Sequence, residues 1–163
     1  MFRVMHPYMF LVWRLGFSSL CKMEQHYPVH YQLGKKHEYW FVSEGKRKVI
    51  KCVRFSLVDL SAQLYNLSLV DWQIETSSFT DRVVTNNGDT IRVLQTVAFS
   101  MHCFFERFPN STVYFSGNSP ARNRLYKTQV NNNRNLWEKD YCINIIRNSG
   151  NEIGFYCEKK VNL

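Results

Sequence analysis

The chain has 163 residues, 21 Lys+Arg against 13 Asp+Glu, and a formal net charge of +8. Hydrophobic residues at 45% and aromatics at 15% exclude wholesale disorder, and the length fits one domain with a tail. Charged residues are only 21% of the chain, so the basic balance reflects a shortage of acids rather than a polybasic run.

The first 22 residues, MFRVMHPYMFLVWRLGFSSLCK, are apolar, carry Arg3, Arg14 and Lys22, and contain no acid. Pro7 and Arg14 interrupt the apolar run, and Ser18-Ser19-Leu20-Cys21 is a poor signal-cleavage site. The stretch is too short and too charged to span a bilayer, which leaves a surface-lying amphipathic segment as one reading. The simpler reading is a start at Met23. Residues 1–22 are then an atypical upstream extension, an over-read start, and residues 23–163 a single domain. Three of the eight net charges belong to that extension.

Tyr39 to Ser43 (YWFVS) is rich in aromatic and β-branched residues and predicts a strand. Glu44-Gly45-Lys46 reads as a turn. Val49 to Val58 predicts a second strand, apolar on both faces and therefore central. Asp59 to Gln63 is a further turn, and Leu64 to Ile74 a third strand. Three strands joined by short polar links imply an antiparallel meander.

The period then changes. Ile91, Leu94, Ala98, Met101, Phe105 and Phe108 recur at steps of three and four, which is one face of a helix over roughly residues 89–107. Asn87 or Asp89 serves as a cap, and Pro109 marks the end. A short strand, Thr112 to Ser116, leads to Gly117-Asn118-Ser119-Pro120, where Ser119 suits an N-cap and Pro120 a first helical residue. The helix over residues 120–131 places Ala121, Leu125 and Tyr126 near one face. Cys142–Ile146 and Ile153–Cys157 predict a hairpin around Asn148-Ser149-Gly150-Asn151. The order βββ-α-β-α-ββ implies an α+β fold: an antiparallel or mixed sheet with two helices packed on one face.

The five cysteines and five histidines show no metal-ligand spacing, and no cofactor motif is present. An odd cysteine count with no framework predicts reduced, mostly buried thiols and a cytoplasmic protein. His102 reads as a packed helix residue. Among carboxylates, Glu44, Asp71, Glu75, Asp81 and Asp89 lie near strand ends or loops, and no spacing brings them together.

The chemistry-bearing segment is Val113 to Lys127, VYFSGNSPARNRLYK. A strand delivers the chain to Gly117, and a helix begins two residues later with backbone N–H groups free and its dipole positive. Arg122 in the first turn opposes that dipole, a broken local rule of the kind found at functional sites. Gly117, Asn118, Ser119, Arg122, Arg124, Tyr126 and Lys127 therefore form a candidate anion-binding set, with Lys46, Asn87 and Asp89 as accessories. The competing reading is an ordinary capped helix with solvated arginines. Lys46, Arg47, Lys48, Lys51 and Arg54 form a second basic feature: Lys51 and Arg54 fall on opposite faces of the strand, and Lys46–Lys48 sits at a hairpin turn, read first as solvated. Were it to lie beside the helix, Tyr39, Trp40, Tyr114 and Tyr126 would supply a stacking platform for single-stranded nucleic acid.

Three stretches, Tyr39–Asp59, Val83–Met101 and Val113–Asn133, resemble a small bacterial family labelled only as a domain of unknown function. The sharpest motif is Gly117 followed by Ala121-Arg122-x-Arg124-Leu125-Tyr126, that is, G-x-x-x-A-R-x-R-L-Y. The resemblance spans Met23 to Lys160 and implies no activity. Asn118 stands where the family often carries Ser or Thr, so a hydroxyl there is not essential.

Three functions follow as expectations. The first is a binding module for a nucleic acid or another phosphate-bearing partner through Gly117–Lys127. The second is a small hydrolase or nuclease of toxin-like or accessory type, with Arg122 and Arg124 stabilising a phosphoryl transition state and Tyr126 assisting. The third is an interaction domain for an acidic protein. None requires a cofactor, and the sequence sets no oligomeric state.

Overall fold

The computed structural model describes residues 25–34, 36–73, 76–80, 87–147 and 153–160. The N-terminal extension, Glu75, Asp81, Asn86 and the Asn148–Asn151 turn lie outside the described residues. Strands β1 (His30–Leu33), β2 (His37–Glu44), β3 (Lys48–Asp59), β4 (Leu64–Gln73) and β5 (Ser78–Thr80) come first. Helix α1 (Thr90–Arg107), strand β6 (Thr112–Phe115) and helices α2 (Pro120–Asn132) and α3 (Arg134–Trp137) follow, then β7 (Tyr141–Arg147) and β8 (Ile153–Lys159).

The fold is α+β. Its sheet runs in the hydrogen-bonded order β1-β2-β3-β4-β6-β8-β7, with β5 beside β4. The pairs β1–β2, β2–β3, β4–β5, β6–β8 and β7–β8 are antiparallel, while β4–β6 is parallel. The parallel pair arises because α1 lies between β4 and β6 in sequence; a parallel neighbour needs such a crossover, whereas a hairpin turn serves an antiparallel one. The elements unseen in the sequence, β1, β5 and α3, are four residues long or shorter and leave too little periodicity to detect.

The described chain divides into two compact units. One comprises the residues up to Phe55 with Ser68–Phe104; the other comprises Ser56–Leu67 with the residues from Phe105 onward.

In the first unit, alternate residues of β2 and β3 form the core: Tyr39, Phe41, Val53 and Phe55 are buried. Phe104 of α1 stacks on Phe55 with ring centroids 4.2 Å apart. The helix face differs from the predicted one at its start, where Ile91 is 62% exposed. The buried residues of the helix are Val93, Thr96, Ser100, Met101, His102, Phe104 and Phe105. Two hydroxyls can face inward because each bonds back along the helix: Thr96 Oγ1 donates to the Arg92 carbonyl and Ser100 Oγ to that of Thr96. Counting apolar residues alone misses such a face. Lys51 lies on a strand, as expected. It is buried on β3 and pairs with Asp71 of β4 at 2.6 Å, while Lys46, Arg47 and Lys48 are exposed as expected. Burial pushes the Cys52 thiol up to about 12, as befits an inert core cysteine.

In the second unit, Asp59 builds the β3–β4 turn by accepting from the Ser61 and Ala62 amides and the Ser61 hydroxyl. Phe115 of β6 stacks on Phe155 of β8 at 4.9 Å, and Tyr141 packs against Phe105 at 5.3 Å. Val113, Phe155 and Cys157 are fully buried. Cys157 is as inert as Cys52, but Cys142 is exposed. No helix among the described residues is long and apolar enough to cross a membrane.

Candidate anion-binding site

The loop before α2 is built from its own polar groups. Ser119 is the N-cap, and its Oγ accepts the Arg122 amide at 3.3 Å. Its carbonyl accepts the Asn123 amide at 3.0 Å. The Gly117 amide donates to Asn123 Oδ1 at 2.6 Å, and Arg122 Nη1 donates to Asn118 Oδ1 at 2.7 Å. Gly117 is required by close approach: an added Cβ would lie 2.7 Å from Arg122 Cβ and 2.8 Å from the Asn123 nitrogen. Gly117, Asn118, Ser119 and Arg122 are thus drawn together, and the hub that gathers the loop is Asn123, a buried residue the sequence reading did not single out. Asparagine is a poor helix former, and its presence between two arginines was the available signal.

The remaining residues separate. Residues two apart on a helix do not face each other, whereas residues three apart are neighbours. Arg122 and Arg124 therefore diverge, while Arg124 and Lys127 share a side. Arg124 is exposed and Lys127 half-buried. Tyr126 packs edge-on against Phe115 at 6.1 Å and Phe155 at 6.4 Å. Burial raises its phenol pKa, partly offset by Arg122. Of the other aromatics expected to stack on a ligand, Tyr39 is 2% exposed and belongs to the core. Tyr114 packs against Tyr156 at 4.9 Å and lies over Gly154.

The accessories Lys46, Asn87 and Asp89 belong to the first unit. There Asn87 holds the β2–β3 turn. Its Oδ1 accepts the Arg47 amide at 3.0 Å, and its Nδ2 donates to the Arg47 carbonyl at 2.9 Å and to Ser43 Oγ at 2.8 Å. Its own carbonyl accepts the Lys46 amide at 2.8 Å. Ser43 and Tyr27 both donate to Asp89 Oδ2, at 2.5 and 2.7 Å. Burial works to raise the Asp89 pKa, but these two hydrogen bonds, together with a backbone hydrogen bond and the Lys51 charge, outweigh it and hold the carboxyl below its ordinary range. Arg92 lies 4.0 Å over the Tyr27 ring. An ionised Asp89 accepting two hydroxyls is an anchor of the fold, and its charge disfavours an anion beside it. Among the described residues, no three His, Cys, Asp or Glu side chains cluster as metal ligands would.

These features define a small α+β protein with a mixed sheet and an acid-free, arginine-bearing second helix. The chain belongs to a family of unknown function (DUF6934), whose profile matches residues 23–162. No curated protein and no solved structure matches it.

Proposed function

We propose that this protein is a binding module for an anionic, phosphate-bearing partner such as a single-stranded nucleic acid, engaged through Arg124 and Lys127 on one side of α2. The observation that carries this reading is the composition and placement of α2. Over Pro120–Asn132 it holds three cations and no acid, and Arg124 projects into solvent beside Lys127. The loop amides at Gly117, Arg122 and Asn123 are already satisfied within the chain. The contact therefore falls to long side chains, which bind phosphate by charge and with little sequence preference. The hydrolase reading has less support, because Tyr126 is packed among aromatic rings with a raised pKa and makes a poor proton shuttle near neutrality.

The test is fluorescence anisotropy with single-stranded RNA and DNA oligomers across about 50 to 200 mM salt. Binding should weaken as salt rises. Arg124→Ala with Lys127→Ala should flatten the log–log salt slope by about 0.7 for each lost phosphate contact. Thermal stability should stay within about 1 kcal/mol of the parent, since Arg124 is exposed and Lys127 only half-buried. Binding indifferent to salt, or to the double substitution, overturns the proposal.

A further inference from the structure

Among the described residues, strand β7 ends the hydrogen-bonded order of the sheet, with β8 on one side. Its phase follows from one bond. The Lys160 amide donates to the Asp140 carbonyl at 2.8 Å, in line with the register that pairs Tyr141 with Lys159. In an antiparallel ladder, hydrogen-bonded and non-hydrogen-bonded pairs alternate. Cys142, Asn144 and Ile146 therefore direct their backbone groups to β8, and Ile143, Ile145 and Arg147 direct theirs to the open edge. The neighbouring pairs agree with this phase. Val113 and Phe115 of β6 then face β8, which leaves Thr112 to face β4, and the Thr112 amide does donate to the Gln63 carbonyl at 3.0 Å.

Among the described residues this edge lacks the usual protection. Natural edge strands are kept short or carry lysine, proline or a bulge. The other end of the sheet follows that rule, since β1 has only four residues. β7 has seven, YCINIIR, with no proline and one charge, at its last position. Ile145 is 40% and Ile146 46% exposed.

We infer that β7 pairs antiparallel with β7 of a second copy of this chain, about a two-fold axis through Asn144. The strand complements itself in this register. Ile143 of each copy exchanges both backbone bonds with Ile145 of the other, which uses the groups that point outward. Cys142 falls opposite Ile146, and Arg147 opposite Tyr141, so no like charges meet and all seven positions overlap. A register shifted by one residue would set inward-directed groups against the partner. A shift by two would leave strand ends unpaired. The dimer is independent of the anion-binding reading, because β7 shares no residue with α2.

The full chain tests this directly. Light scattering coupled to gel filtration should give twice the 19.4 kDa chain mass. Ile145→Lys, at an exposed position, should return the mass of one chain with an unchanged circular dichroism spectrum. In a Cys142→Ser background, Asn144→Cys should form a reducible cross-linked dimer, because residues facing each other in a non-hydrogen-bonded pair have Cα atoms about 4.5 Å apart. Ile143→Cys in the same background should not, since its opposite residue is Ile145. A wild-type mass of one chain overturns the inference, as does cross-linking at position 143 rather than 144.

Discussion

Two asparagines, one in each unit, do the same local job with different backing. Asn87 is 3% exposed and Asn123 7%, and each clamps a segment containing a glycine that leaves no room for a side chain. Around Asn87 the clamp is deep. Its side chain makes three hydrogen bonds, Ser43 connects it to Asp89, and Tyr27 completes the cluster. Around Asn123 the clamp is shallow: one hydrogen bond to Gly117, with an exposed cationic side of the helix nearby. A polar group committed to several buried partners is part of the scaffold. A loop satisfied by a few local bonds, next to uncommitted charge, has something left to offer a ligand.

The sharpest way to break this comparison is at the glycines. A Cβ at Gly45 would lie 1.9 Å from the Asn87 carbonyl oxygen, a main-chain atom that cannot swing away. Gly45→Ala should cost about 3–5 kcal/mol or abolish folding, measured by urea denaturation. Gly117→Ala, with nearest contacts of 2.7–2.9 Å, should cost less. Equal losses would erase the distinction between the two clamps.

The asparagines themselves come next. Asn87→Ala strands the Arg47 amide and carbonyl together and should cost about 3 kcal/mol, whereas Asn123→Ala strands one amide and should cost about 1–2 kcal/mol. The second variant should also loosen the start of α2, seen as faster amide exchange at Gly117.

The smallest effect is electrostatic. The Asp89 carboxyl is lowered from 3.8 in the folded chain, so the unfolded state binds the proton more readily. Its contribution is present above the unfolded value and is lost as pH falls through the folded one. Asp89→Asn should be about 1–2 kcal/mol less stable near neutrality, and the gap should close as pH falls below the ordinary carboxylate range and the folded-state carboxyl takes up its proton. A gap that stays constant with pH would mean that shape, not charge, matters at this position.

Much of the fold was legible because its signals are local. Alternation in Val49–Val58, the three–four spacing of α1 and the Ser119-Pro120 start of α2 each reflect short-range geometry, and each element lies within a residue or two of expectation. The site was legible only as a segment. Periodicity placed Ala121 on the packed face of α2, but Ala121 is exposed and Asn123 is buried, because a hydrogen bond from Gly117 outweighs apolarity there.

The sequence by itself determined the α+β class, the spans of the longer strands and helices and the family. These rest on side-chain periods and caps that operate over a few residues. Only the tertiary structure decided which polar residues were used up. Lys51 finds Asp71 twenty positions on, and Tyr27 finds Asp89 across sixty-two. Partners at such separations are set by strand register and helix docking, which no spacing rule along the chain encodes. That is why the +8 charge does not show which cations are committed: Lys51 is spent on Asp71 inside the fold, whereas Arg124 stays exposed.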